Sequence, residues 1–323
     1  MVIRIDSQKN GEQTSLMDDN IVQPFRLEKT SIRGRVVRMG SVLQDIIGRH
    51  KYPAPVSYLL SEAVTLCVLL SAMLKYDGIF TLQIKGSGPV NALVVDATTD
   101  AKVRGYASFD AQGVKKLAKR KPDLENNYFH LLGTGYVSFT VDQKLEGVER
   151  YQGIVELQGN SLADSVRYYF DQSEQIKTDF KLEIHPQDMQ WRSGAIMIQH
   201  MPSEEYGGHD DGDEEVTQED WNRSSIFMNS CKEEEILSPT LQITDLLYRL
   251  FHEEGVRAYP QIPVHHVCRC STEKVQNVIM SLPREEIDSI LEEQGQISVN
   301  CEFCSRSYCF TQEDIDHLSS LDS

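Results

Sequence analysis

Four cysteines near the C-terminal end constrain this chain more than any other feature. Cys268 and Cys270 form a Cys-x-Cys pair, Cys301 and Cys304 a Cys-x-x-Cys pair, and residues 271–300 lie between them. Thiolates are soft ligands, and four of them fill a tetrahedral Zn²⁺ shell with no position left open for chemistry. The same sulfurs can form two local disulfides once the metal is lost, so the cluster can be both a structural clamp and a redox sensor. The spacing differs from the commoner ribbon, in which two Cys-x-x-Cys pairs lie closer together.

Competing readings of these residues are weaker. Buried apolar cysteines do not explain two tight pairs flanked by polar residues. A thioredoxin-like motif at Cys301 and Cys304 needs the first Cys at a helix N-terminus, whereas Ser305-Arg306-Ser307-Tyr308-Cys309-Phe310 continues as a strand or turn. His265 and His266 are rival ligands that a complete thiolate shell leaves unneeded. Cys309, between Tyr308 and Phe310, suits a packed strand and Cys67 an apolar core helix; Cys231, before Lys232 in the acidic linker, can be an exposed thiol, and its role stays open.

The formal net charge of −17 is unevenly spread. Residues 1–202 hold 24 Lys+Arg against 23 Asp+Glu (net +1), residues 203–262 hold 4 against 15 (net −11), and residues 263–323 hold 4 against 11 (net −7). A zinc module carrying −7 is repelled by a phosphate backbone, which argues against a nucleic-acid-binding ribbon. The longest apolar run, Ala63 to Leu74, is shorter than the ~20 residues a bilayer span takes. The start of the chain carries no secretory h-region. A cytoplasmic location with no membrane partner is therefore expected, and in that reducing setting clustered cysteines are metal ligands or redox switches.

The pattern along the chain predicts an α+β fold with a largely antiparallel sheet. Its parts are a disordered extension (1–20), an N-terminal mixed helix/sheet core (21–202), an acidic helical linker (203–262) and a small C-terminal four-Cys zinc module (263–323). Helices are expected at Ser41–His50, Pro55–Leu74 and Ser161–Asp171. Alternating residues predict strands at Phe80–Ile84, Asn91–Asp96, Val103–Phe109, Gly135–Asp142, Gln152–Gln158, Phe180–Ile184 and Gly194–His200. Gly86-Ser87-Gly88 lacks the third Gly of a dinucleotide fingerprint and reads as a hairpin turn.

In the linker, Gly207 to Glu215 is a solvated acidic tract. Ser238-Pro239 predicts a capped helix with Ile243, Leu246, Leu247, Leu250 and Phe251 on one stripe, ending near Gly255. A stripe like this must rest on something, and the N-terminal sheet is the nearest surface. In the last module Ser271 caps one helix, Pro283 begins another that Gly295 closes, and Ile297–Asn300 is a strand leading into Cys301. Such a module has little core, and zinc supplies much of its stability, on the order of 10 kcal/mol. The chain shows no Walker loop, nucleophile elbow or catalytic triad, and no enzymatic activity is expected.

Motifs spread over residues 21–323 resemble those of the redox-regulated 33-kilodalton heat-shock chaperonin family, bacterial holdases. They include Tyr76-Asp77-Gly78, Leu82-Gln83 and Gly86-Ser87-Gly88-Pro89-Val90; Arg104-Gly105-Tyr106-Ala107; Arg150-Tyr151-Gln152-Gly153-Ile154-Val155; Tyr169-Phe170 with Ser173-Glu174-Gln175; His252-Glu253-Glu254; and Ser289-Ile290-Leu291-Glu292. Cys268, Cys270, Cys301 and Cys304 fall on the family's zinc ligands. The resemblance implies an ATP-independent chaperone for unfolded clients, inactive while reduced and holding one Zn²⁺ per chain. It further implies that oxidation joins Cys268 to Cys270 and Cys301 to Cys304, releases zinc, unfolds the module, frees the linker and yields a homodimer. A zinc-ribbon nucleic-acid binder and a thiol-disulfide oxidoreductase are the alternative classes.

Overall fold

The computed structural model describes residues 3–4, 19–74, 76–120, 128–143, 151–187, 190–200 and 218–321. The chain forms two compact units, Met1–His266 and Val267–Ser323. The first runs β1 (Ile3–Arg4), β2 (Ile21–Leu27), β3 (Ile32–Met39), α1 (Ser41–Gly48), α2 (Ala54–Ser71), β4 (Gly78–Gly86), β5 (Val90–Thr98), β6 (Lys102–Phe109), α3 (Ala111–Arg120), β7 (Gly135–Gln143) and β8 (Tyr151–Glu156). It continues through α4 (Leu162–Tyr169), β9 (Thr178–Gln187), β10 (Gln190–His200), α5 (Gln218–Asn229), α6 (Glu233–Ile236), α7 (Ile243–Phe251), β11 (Val256–Ala258), β12 (Ile262–Pro263) and β13 (His265–His266). The second holds α8 (Thr272–Met280), α9 (Arg284–Gln294), β14 (Ile297–Asn300), β15 (Ser307–Phe310) and α10 (Gln312–Leu321).

Two sheets build the first unit. One has the order β1-β11-β2-β3-β10-β9 with β12 beside β2, the other β13-β6-β5-β4-β7-β8. The described pairings are antiparallel except β13 with β6. Helix α2 packs on strands of both sheets, which makes it the middle layer and the centre of the main core. Its sequence predicts one apolar face; the helix is instead buried on nearly every side because it has a sheet above and a sheet below. At 18 residues it is long and apolar enough to cross a membrane by length and composition, yet most of it is buried inside this unit, as a core helix is. Gly34 marks a close approach: a Cβ there would meet the Phe25 ring at 2.2 Å and the Met197 carbonyl oxygen at 2.7 Å.

The residues from Gln218 to His266, read from sequence mostly as linker, belong to this first compact unit. The acidic tract Gly207–Glu215 lies outside the described residues, as does most of the extension 1–20. Within that extension, Ile3 and Arg4 pair with Ala258 and Arg257. Asp19 accepts hydrogen bonds from Arg192 at 2.7 and 3.0 Å, and the Asn20 side chain accepts the N–H groups of Gly40 and Val42. These four residues are tied to the fold.

Candidate metal centre

Among the described residues, the second unit surrounds its cysteines with a core of seven buried apolar side chains, including Ile279, Ile287, Leu291, Tyr308 and Phe310. Helix α8 starts directly after Cys270 because Ser271 Oγ accepts the Lys274 N–H at 3.3 Å, capping an otherwise orphan donor. Gly295, at φ +74°, closes α9 in the left-handed region that glycine enters freely, turning the chain into β14. Cys301 and Cys304 sit on the turn between β14 and β15. That turn is closed by Cys301 N–H to Arg306 O (2.9 Å) and Ser305 N–H to Cys301 O (2.8 Å).

These elements bring all four sulfurs together, within 4.8 Å of one another. Sγ of Cys268 lies 3.4 Å from Cys270 and 3.7 Å from Cys301, and Cys270 lies 3.5 Å from Cys304. Four thiolates at about 2.3 Å from a tetrahedral ion stand about 3.8 Å apart, so the sulfur spacing fits a metal shell. It is far from the roughly 2 Å of a disulfide bond.

The electrostatics favour a cation at the centre. Burial opposes ionisation of Cys270, but hydrogen bonds from Tyr308 Oη (3.1 Å) and the neighbouring thiols outweigh it and bring this thiol down to about 7. Burial, with the adjoining cysteines, pushes Cys304 up to about 12, and burial also raises Cys301. Four thiols this close cannot all ionise by themselves; a divalent cation removes that conflict. The N–H groups of Phe303 and Cys304 point at Cys301, and that of Arg306 at Cys304, so the turn supplies donors to charged sulfur. Cys301 opens no helix and its thiol is raised, which is the reverse of a thioredoxin-like nucleophile.

Among the described residues the metal-capable cluster holds cysteines only. His265 and His266 form β13, which pairs with Lys102 and Val103 in the first unit. Two cysteine expectations are corrected. Cys309 is exposed, because strand alternation turns Tyr308 and Phe310 inward and the residue between them out. Cys231 is buried in the core under the linker, where burial and Glu235 push its thiol up to about 11. Cys67 is in the core of α2.

The linker stripe is buried as one surface. Ile243, Leu246, Leu247, Leu250 and Phe251 pack with Phe25, Leu27, Ile32 and Val36 of β2 and β3 and with Ile196 and Ile198 of β10; the Phe25 and Phe251 rings stack 5.7 Å apart. Helix α7 starts later than Ser238-Pro239 suggests, at Ile243. Ser238 Oγ instead takes the N–H groups of Thr240 and Leu241 in a local turn. Sequence reading missed Arg38, the largest fully buried side chain among the described residues, which donates to the carbonyls of Ile236 (2.9 Å), Leu241 (2.7 Å) and Glu235 (3.2 Å). No sequence signal distinguishes it from an exposed strand arginine.

Comparison with known proteins gives a consistent answer. The family model for the Hsp33 protein matches residues 20–311. A 33 kDa chaperonin of Caulobacter vibrioides is 36% identical over 301 residues, covering 91% of this chain and 95% of the relative. One from Escherichia coli is 34% identical over 294 residues, covering 91% and 93%. The crystal structure of the 33 kDa chaperonin (heat shock protein 33 homolog) from Thermotoga maritima aligns with a TM-score of 0.75 at 22% identity, covering 94% of this chain and 99% of that one, and shares the fold. With the family model spanning both compact units and relatives matching nearly end to end, this chain belongs to the Hsp33 family, whose role is that of a chaperone.

Proposed function

We propose that this protein is a redox-controlled, ATP-independent holdase: silent while reduced and zinc-loaded, and active toward unfolded client proteins once oxidised. The observation that carries the reading is the four-sulfur cluster in a unit with so little apolar core. A tetrahedral all-thiolate set suits Zn²⁺, which would be held by Cys268, Cys270, Cys301 and Cys304 and would supply folding free energy, not reaction chemistry. Oxidation joins Cys268 to Cys270 and Cys301 to Cys304, with two thiolates giving up two electrons to the oxidant in each bond. Disulfide sulfurs are poor ligands, so the ion leaves and the unit melts.

The chain then loses its ordered continuation beyond His266, and α7 with its stripe lets go of β2, β3 and β10. That release exposes apolar surface able to hold unfolded chains. The acidity of residues 203–262, net −11, favours release. The reading includes dimerisation of the oxidised form, a cytoplasmic location, no catalytic turnover, and no nucleic-acid or membrane partner; the net −7 of residues 263–323 supports the exclusion of nucleic acid.

The test is suppression of aggregation of a chemically unfolded client by the purified protein, before and after peroxide with mild heat. Suppression confined to the oxidised sample is expected. Equal suppression by the reduced, zinc-loaded protein, or catalytic turnover of small thiols in its place, would refute the reading.

A further inference from the structure

The face of the first sheet that meets α2 changes character along its length. On β2, β3 and β10 this face carries Val22, Val37, Met39, Ala195 and Met197 in the main core. Further along, the same face carries Arg26, Arg33 and Arg35 with Gln199. Arg26 stands directly opposite Arg33 across the β2–β3 pairing, and Arg35 is two residues on from Arg33 along β3. Like charges placed opposite each other on a sheet are destabilising.

The arginines line a cavity of about 820 Å³, within the roughly 300–1,000 Å³ of small-molecule sites. Its other walls are apolar and aromatic: Leu70 and Met73 at the end of α2, Phe80 and Phe139 from the second sheet, and Phe170. Leu74 and Tyr151, both more than two-fifths exposed, lie at the margin. Among the described lining residues the acid is Glu174, whose Oε1 accepts hydrogen bonds from Tyr151 Oη (2.5 Å) and Tyr169 Oη (2.6 Å). Arg35 hydrogen-bonds carbonyl oxygens among the described residues, Gly34 O at 2.8 Å and Ala72 O at 3.4 Å, and forms no ion pair with a described carboxylate. Arg33 donates from Nε and Nη2 to Gln199 Oε1 on the same face.

We propose that this cavity binds an amphipathic anion, an aliphatic chain of medium length ending in one carboxylate, with the head on Arg35 and the tail against the aromatic wall. Burial together with the neighbouring Arg33 lowers Arg35 to about 10, so the guanidinium stays charged at neutral pH, and no described carboxylate pairs with it to offset its desolvation. A carboxylate provides that neighbour, and the planar fork of an arginine suits it. A bare inorganic anion would leave the apolar walls wet. A cationic amphiphile would meet the Arg35 guanidinium. The site requires neither oxidation nor release of the linker.

The experiment is isothermal titration of the reduced, full-length protein with dodecanoate below its micellar range. Dodecyltrimethylammonium (the same tail with the opposite charge) and acetate (the head alone) are the control ligands. Saturable binding of dodecanoate alone is expected, weakened at least about tenfold in Arg35→Gln, the loss of one charge-assisted contact. Leu74→Glu, at a 43% exposed position, should weaken it likewise and serves if Arg35→Gln does not fold. Absence of dodecanoate binding, equal binding by a folded variant, or equally tight binding of the cationic amphiphile would overturn the proposal.

Discussion

Replacing Leu247 and Phe251 together by glutamine should free the linker without oxidation. Both side chains are fully buried, and each loses roughly 1.5–3 kcal/mol of apolar transfer energy when made polar. The stacked contact of Phe251 with Phe25 adds about 0.5–1.5 kcal/mol. Neighbouring losses do not add fully, so about 4 kcal/mol is a fair total, enough to raise the released population roughly a thousandfold. The reduced, zinc-loaded double variant should then suppress client aggregation, and amide exchange across residues 237–255 should accelerate. Two controls separate linker release from general damage. Ile226→Gln, at a position 67% exposed on α5, should change nothing, and Leu66→Ala in α2 should destabilise the core without activating the reduced protein. If the double variant stays silent until oxidised and its exchange in 237–255 is unchanged, α7 is not the latch.

Metal analysis should find one zinc per chain in the parent and in His266→Ala, and loss of stoichiometric zinc in Cys301→Ser; retention in the serine variant, or loss in the alanine one, contradicts the four-thiolate assignment. Peptide mapping after oxidation should recover Cys268–Cys270 and Cys301–Cys304 with Cys67 free, and a dominant Cys270–Cys301 or Cys304–Cys309 bond would refute that pairing. Glu62, fully buried in α2 and accepting the Ala163 N–H at 3.2 Å, is pushed by burial from its ordinary 4.5 up to about 7. Its neutral form suits the fold, so its contribution is fully present below 4.5 and is lost as pH rises to about 7, amounting to about 3 kcal/mol. Glu62→Gln should therefore flatten the decline of unfolding free energy between about pH 5 and pH 8; an unchanged slope means this carboxyl titrates normally.

The cysteine centre was readable because ligand sets are written in residue type and spacing, and the Ser271 cap and Gly295 closure follow from local backbone chemistry. Strands β2 and β3 were not readable. Both carry apolar residues on two buried faces, interrupted by Pro24 and by Arg26, Arg33, Arg35 and Arg38, so period-two alternation is lost. Helix α3 escaped notice because only Val114 among its residues is buried. The burial of Cys231 and the late start of α7 depend on what the linker packs against, a tertiary fact. Arg38 is the clearest case: a cation wholly inside the protein, held by three carbonyls of a segment some two hundred residues away.

The most direct test of the account follows three signals in one oxidised sample: zinc release to a chromophoric chelator, amide exchange across residues 237–258, and suppression of client aggregation. The account predicts that zinc leaves first, that protection of α7 and β11 falls next, and that activity rises in step with that second change. Full activity while zinc is still bound, or while residues 237–258 stay protected, would contradict it.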